Sequence, residues 1–474
     1  SHKYGAKYFH HIDNNFGPNP SEDVKIWKSE NPEDPSTWQW TFADKLFLQL
    51  IQEVHSRNMR IIIDGVFNHV GIPFWALQDV KNNGEKSSYS DWFNIISYDN
   101  PDTPENEFDY EGWYGIKDLA EFKENLDGPL PEIKNHFFAI VRRWMDPNND
   151  GDPSDGIDGW RLDVAELVNI NFWKEFNGWV KEINPDAYIN GEVWWEDHHN
   201  NKMFNAAPWI KSDVFNSVMN YRFGDACFKF FIDEKKQVSA KKFDRLLHSV
   251  IKDYEYENVL HLQNMVDSHD TERLATAIMN PDRWIDHDGG TWKNWDFQIQ
   301  MPGKNERQLQ KTIITLQFIY PGAPLIYYGD EAGMWGADDP DCRKPMVWPE
   351  NTYDSEIAHP CDNLKDCDGK RPLNEVTFND DIYNHYRDLI HIRKNNSALT
   401  HGTFKTTYIN NRKKIISFER AYGNNRILSV FNGSKNGVEL TDKMFPGKME
   451  DWKLIKGNET KILKGKDANI FIAR

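Results

Sequence analysis

The chain has 474 residues, 39% of them hydrophobic and 27% charged, with a formal net charge of −18. That acidity argues against nucleic acid as a partner, because a polyanion needs a basic footprint and none is visible. No apolar run approaches the roughly 18 residues of a membrane helix, so no membrane span is expected.

Residues 1–40 are rich in Asn, Pro, His and Trp without a sustained period and read as a long loop. Leu46, Leu50 and Val54 in i, i+4 steps predict a helix over 42–57. The β-branched run 59–69 follows, of the kind found in a parallel strand covered on both faces. The same unit recurs: helix 131–145 before strand 157–164, helix 171–183 before strand 187–193, a strand near 216–222 and helix 239–252 before strand 258–266, helix 306–319 before strand 323–328. Alternating helices and strands imply βα units and a parallel sheet, and a (β/α)8 barrel is the fold expected. A doubly wound open sheet is the alternative, but it wants a Gly-rich phosphate turn that is absent.

An insertion over about 71–130 is loaded with Trp, Tyr, Asp and Asn, as functional loops are. After a last helix over about 381–394, the segment 395–474 turns to short alternating runs separated by Asn-Gly and Gly-Asn turns. It is expected to form a C-terminal antiparallel β domain, a sandwich, following a catalytic domain over 1–394. Of the four cysteines, Cys361 and Cys367 either bridge a short loop or remain thiols, like Cys227 and Cys342. Only six barrel strands are counted where closure requires eight, so the missing two are expected upstream of residue 1.

The chemistry centres on Gly159-Trp160-Arg161-Leu162-Asp163-Val164-Ala165. Arg161 and Asp163, two residues apart in a strand, share a face. An isolated pair of this kind is usually a structural ion pair. Here, however, polar residues collect past the carboxyl ends of several strands, the end at which barrel active sites are built. Asp64, Asn68 and His69, then Glu166, Glu192, His269 with Asp270, and Asp330 with Glu331 all take such positions. Carboxylates gathered in one cleft repel one another, and that cost points to function. Glycoside hydrolysis wants the arrangement: one carboxylate as nucleophile, one carboxylic acid to protonate the leaving oxygen, and negative charge near an oxocarbenium-like transition state. Arg161 is expected to keep Asp163 ionised, and the indoles of Trp194 and Trp195 to raise Glu192 toward the acid role.

The segments Asp64-Gly65-Val66-Phe67-Asn68-His69, Gly159 to Ala165, Gly191-Glu192-Val193-Trp194 and Val266-Asp267-Ser268-His269-Asp270, in that order and spacing, resemble the α-amylase superfamily, glycoside hydrolase family 13. Within it the chain is most similar to the cyclomaltodextrinase/neopullulanase-like members. The resemblance implies that Asp163 is the nucleophile, Glu192 the general acid/base and Asp270 the third carboxylate. Arg161, His69 and His269 would bind the glucose at the cleavage point, with His2 and Tyr4 matching the family's His-Gly-Tyr except that Lys3 replaces Gly. Asp64 and Trp194 join them as substrate contacts, while Asp339 and Arg343 look like the pair that grips the next glucose, against a plain surface salt bridge. Two segments depart from the subgroup: Val164-Ala165-Glu166-Leu167 where Val-Ala-Asn-Glu is usual, and Leu119-Ala120-Glu121-Phe122 where Met-Pro-Lys-Leu-Asn is usual.

The function implied is retaining hydrolysis of α-1,4-glucosidic bonds in starch-derived oligosaccharides or cyclodextrins. The alternatives are a transglycosylase, an α-1,6-cleaving relative, or a non-catalytic amylase-like binding protein, which would be expected to lose the carboxylates kept here. No cofactor is expected for the chemistry. Asp146, Asn148, Asp150 and Asp152, with Gly151 between, imitate the start of a calcium loop but lack the Glu at its twelfth position, so a structural calcium is weighed against an acidic solvated turn. The partner expected is an α-glucan, and a homodimer is carried as an expectation.

Overall fold

The computed structural model describes residues 3–100, 102–291, 294, 296–359, 373–458 and 461–474; His2, Cys361 and Cys367 lie outside them. The chain divides into two compact units, one of Ser1–Trp194 with Phe204–Val218 and one of Trp195–Met203 with Met219–Arg474.

In the first unit the helix Phe42–Ser56 opens on a capping box: Asp44 N donates to Thr41 Oγ1 at 3.0 Å and Thr41 N to Asp44 Oδ2 at 2.9 Å. The helix leads to the strand Ile63–Gly65, which pairs in parallel with Gly159–Leu162, and this in turn with Tyr188–Gly191. Ser217 and Val218 then pair with Asn190 and Gly191. The helices Pro131–Met145 and Ile170–Ile183 bury Phe137, Trp144, Phe172 and Phe176. Phe67 packs among them, 4.6 Å from Phe137 and 5.4 Å from Phe176 between ring centroids. Each such fully buried side chain stabilises the unit by about 2–3 kcal/mol.

Two expectations fail here. The segment 1–40 contains the helix Pro20–Ser29, with Pro at its first turn, Glu22 and Asp23 toward its N-terminus and Lys28 near its end. Its buried residues are only Asp23 and Trp27, so it has no apolar stripe to give it away. The run 59–69 is not one strand: only Ile63–Gly65 joins the parallel ladder, and His69–Gly71 pairs antiparallel with Leu119–Glu121 of the insertion. The insertion also carries the helix Trp75–Asn83 and short antiparallel pairs, Ile95–Ser97 with Asp109–Tyr110 and Glu124–Asn125 with Gly128–Pro129.

In the second unit Met219 and Asn220 pair in parallel with Gln263 and Asn264, and these with Ala323 and Pro324. The expected strand 258–266 is therefore short, because Tyr256–Val259 forms a helical turn instead. The helices Ala240–Asp253, Lys304–Ile319 and Asp380–Lys394 follow the predicted order. A five-stranded antiparallel sheet closes the chain in the order Thr403–Asn410, Ile415–Tyr422, Asn425–Asn432, Asp467–Ala473, Trp452–Lys456. Phe418, Ile427, Phe431 and Ile470 join Ile313 and Leu316 of a helix in one apolar core, while Leu428, Val430 and Phe471 pack with Met444, Phe445 and Trp452 in another. Buried Arg420 ties sheet to helix, donating to the carbonyls of Ile319, Gly402 and Thr403 at 2.6–3.0 Å. Among the described residues no helix is long and apolar enough to cross a membrane.

Candidate active site

In the first unit one guanidinium gathers three carboxylates. Arg161 Nη1 donates to Asp163 Oδ1 at 2.7 Å and to both oxygens of Asp64 at 3.0 and 2.9 Å, and Arg161 Nη2 lies 2.8 Å from Glu192 Oε2. The ladder explains the meeting: Asp64 is paired with Arg161 across neighbouring strands, and Asp163 and Glu192 each follow the last residue of theirs. Tyr4 donates from its hydroxyl to Asp64 Oδ2 at 3.0 Å, with the Arg161 guanidinium 5.8 Å from its ring centre. His69, buried, places Nε2 3.9 Å from Asp163 Oδ2, and Trp194 is buried beside Glu192 in sequence.

Three acids against one fixed cation leave an excess of negative charge in a dry place. Burial raises the Asp163 pKa well above the ordinary carboxylate value, Arg161 opposes this, and the charges of Glu192 and Asp64 add to it. Arg161 thus draws Asp163 toward the ionised form, as the sequence led one to expect, without reversing the net rise that burial and the neighbouring acids impose. Burial would lower the guanidinium itself, but Asp64 and Glu192 outweigh that and raise it further. The indole of Trp195 donates to Asp286 Oδ2 at 3.2 Å.

Two residues of this site had been given no role. Val164 has φ 40°, in the left-handed region that a β-branched residue rarely enters, at a cost of about 1–3 kcal/mol. The strained turn aims its N–H at Glu192 Oε2, 3.0 Å away. Glu166 has Oε1 3.4 Å from Trp194 N and Oε2 sealed from solvent without a hydrogen-bond partner. Burial and the charge of Glu192 push its pKa up to about 8. Its departure from the subgroup's Asn was the only signal in the sequence, and for Val164 there was none.

In the second unit Arg343 plays a similar gathering role. Its Nε donates to His269 O at 2.8 Å and lies 3.0 Å from Asp339 Oδ1, while Nη2 donates to Asp270 Oδ1 at 3.1 Å. His269 Nε2 stands 3.0 Å from Asp270 Oδ2. Asp339 also lines a cavity of about 570 Å³ with Asp338, Lys344, Glu356 and His359. Fully buried Arg273 donates to Asp330 Oδ1 at 2.9 Å and to the carbonyls of Tyr328 and Cys342.

The acidic loop shapes itself: Asp146 accepts from the amides of Asp150 and Gly151, Asn148 from Asp150, Asp150 from Asp152, and Asp152 from Ser154, all at 2.8–3.2 Å. Nearby Asp155 has its pKa raised by burial and by the charges of Asp146, Asp150 and Asp152. Its Oδ1 is buried with no hydrogen-bond partner.

Comparison with known proteins agrees. The model of the α-amylase catalytic domain matches residues 42–402. Neopullulanase 2 of Thermoactinomyces vulgaris is 33% identical over 396 residues, covering 83% of this chain and 55% of the relative. A cyclomaltodextrinase of a Bacillus species is 33% identical over 84% of this chain and 59% of its own length. The chain therefore spans a little over half the length of these curated relatives. Among solved structures, a cyclomaltodextrinase gives a TM-score of 0.69 at 29% identity, over 100% of this chain and 66% of that one. The type III pullulan hydrolase from Thermococcus kodakarensis gives 0.71 at 25% identity, over 99% and 65%. By its sequence, its parallel βα units and its antiparallel C-terminal sheet, the chain belongs to the α-amylase family of glycoside hydrolases.

Proposed function

We propose that the protein hydrolyses α-1,4-glucosidic bonds of starch-derived oligosaccharides or cyclodextrins with net retention, through a covalent glycosyl-enzyme. The observation that carries this reading is the Arg161 cluster, in which Asp163 and Glu192 contact opposite nitrogens of one buried guanidinium. Asp163 attacks the anomeric carbon, and Glu192, acting as a carboxylic acid, delivers a proton to the leaving oxygen. Water, deprotonated by Glu192, then releases the sugar. Arg161 supports the ionised Asp163, Asp64 anchors Arg161 and Tyr4, and His69 lies against Asp163 where it can meet the bound glucose. By its place in the motif order Asp270 is the third carboxylate, which orients and distorts the sugar. His2 and His269 contact the same glucose, Trp194 flanks it, and Asp339 with Arg343 grips the next one.

The parallel strands are then part of a closed (β/α)8 barrel. Names among the relatives favour cyclodextrins and pullulan as substrates, and cleavage of α-1,6 bonds is the second reading, which the pullulan hydrolase supports. Product analysis with β-cyclodextrin, pullulan and soluble starch tests both. Fast opening of cyclodextrin fits a cyclomaltodextrinase-like enzyme, products of α-1,6 cleavage from pullulan fit the second reading, and no turnover of any of the three contradicts the assignment. The loop of Asp146, Asn148, Asp150 and Asp152, with Asp155, is proposed to hold a structural calcium remote from the chemistry.

A further inference from the structure

Three ligand-type side chains that this chemistry does not use meet inside the first unit. His10 Nε2 lies 3.6 Å and His11 Nε2 2.7 Å from Glu30 Oε2, and the three donor atoms fall within 4.8 Å of one another. None of these side chains is more than 1% exposed. We propose that His10, His11 and Glu30 bind one divalent transition-metal ion of the zinc class, which cross-links the segment before Ile12 to the end of the helix Pro20–Ser29.

His10 carries the argument furthest. Both of its ring nitrogens are buried without a hydrogen-bond partner, an arrangement that protein interiors avoid unless something else fills the gap. The ring is fixed by stacking on Trp38, with centroids 4.2 Å apart and planes 9° from parallel. Arg143 donates to the backbone carbonyls of His10 and Gln39 at 2.7 and 2.6 Å, holding the segment in place.

His11 is oriented as metal-binding histidines are. Its Nδ1 lies 2.8 Å from Asp44 Oδ2, which leaves Nε2 for the ion. Asp44 is itself fixed by the amides of Ile12 and Thr41 at 2.8 and 2.9 Å. Two ligands at about 2.0–2.2 Å from one ion, set tetrahedrally, stand about 3.4 Å apart. The 3.6 Å between His10 Nε2 and Glu30 Oε2 is close to that bite. His11 Nε2 and Glu30 Oε2 now share a hydrogen bond at 2.7 Å, and an ion binding between them would displace its proton to solvent. Two imidazoles and a carboxylate form a nitrogen-rich set suited to zinc, unlike the all-oxygen shells of calcium and magnesium. A site so closed serves structure and not turnover.

The test is zinc content by elemental analysis of untagged protein grown with zinc, followed by calorimetric titration of the chelated protein with zinc chloride. His10→Phe is the matched variant, since it keeps a ring on Trp38 and removes the ligand. About one zinc per chain in the wild type and under about a tenth in His10→Phe is the expected result, with the chelated wild type regaining its melting temperature on zinc but not on calcium. Absence of zinc in the wild type together with no heat of binding overturns the proposal and leaves an ion-paired histidine cluster. Equal zinc in wild type and variant overturns it as well. If His10→Phe does not fold, the zinc content and titration of the wild type decide the matter alone.

Discussion

Glu166→Gln tests whether the electrostatics of the site follow from burial. With a pKa of about 8 against an ordinary 4.5, Glu166 keeps a proton in the folded chain that the unfolded chain gives up between those values. The folded state then binds more protons than the unfolded one across that window, so stability falls as pH rises through it, by about 1.4 kcal/mol per unit. Taken over the whole window this is at most about 5 kcal/mol, and about 2–3 kcal/mol once solvent at the exposed flank of the residue is allowed for. Glutamine has no proton to lose and retains an oxygen for the Trp194 amide. For a chain of this length 1 kcal/mol moves the melting temperature by about 1 °C. Calorimetric melting of both proteins from pH 5 to 8.5 is expected to give matching temperatures at pH 5 and a variant about 2–5 °C more stable at pH 8.5. Because Glu272, also raised to about 8, is common to both proteins, its effect cancels in the difference. Parallel melting curves at all pH values would refute the reasoning.

Arg161→Met removes the cation shared by three acids. Breaking a buried pair in this way is expected to destabilise the protein by about 3–5 kcal/mol, read as a drop of similar size in °C, and to abolish measurable turnover. Asp163→Asn, in contrast, is expected to cost more than about a thousandfold in kcat with far-UV circular dichroism and melting unchanged, and near-native turnover would remove Asp163 from its role. Restoring calcium to the chelated protein at about a hundred times its Kd is expected to raise stability by about 2.7 kcal/mol, seen as about 3 °C in melting, and Asp150→Ala is expected to lose that gain. An unchanged melting curve speaks against calcium in that loop.

What the sequence made legible was periodic and long. Phe42–Ser56 and Pro131–Met145 lie where apolar spacing put them, the first closed by Thr41 and Asp44. Short elements were harder to read, because an apolar run says that a segment is buried without saying how far its ladder extends. Val66 and Phe67 stay apolar after the backbone leaves the parallel sheet at Gly65, and the helical turn Tyr256–Val259 takes the start of a run that reads as strand. The helix Pro20–Ser29 carries no periodic signal because it buries an aspartate and one tryptophan instead of a stripe. In the site, the residue types and motif places of Arg161, Asp163 and Glu192 picked out side chains that the structure brings together. The φ of Val164 and the sealed oxygen of Glu166 are properties of the folded backbone, which no residue type encodes.

The central claim is that Asp163 becomes covalently glycosylated. Incubation with 5-fluoro-α-D-glucosyl fluoride, whose glycosyl-enzyme hydrolyses slowly, followed by proteolysis and mass spectrometry, tests it directly. The account predicts one fluoroglucosyl unit per chain on the peptide containing Asp163, with loss of activity in step with labelling. An adduct on another residue, or undiminished turnover with no adduct, would contradict it.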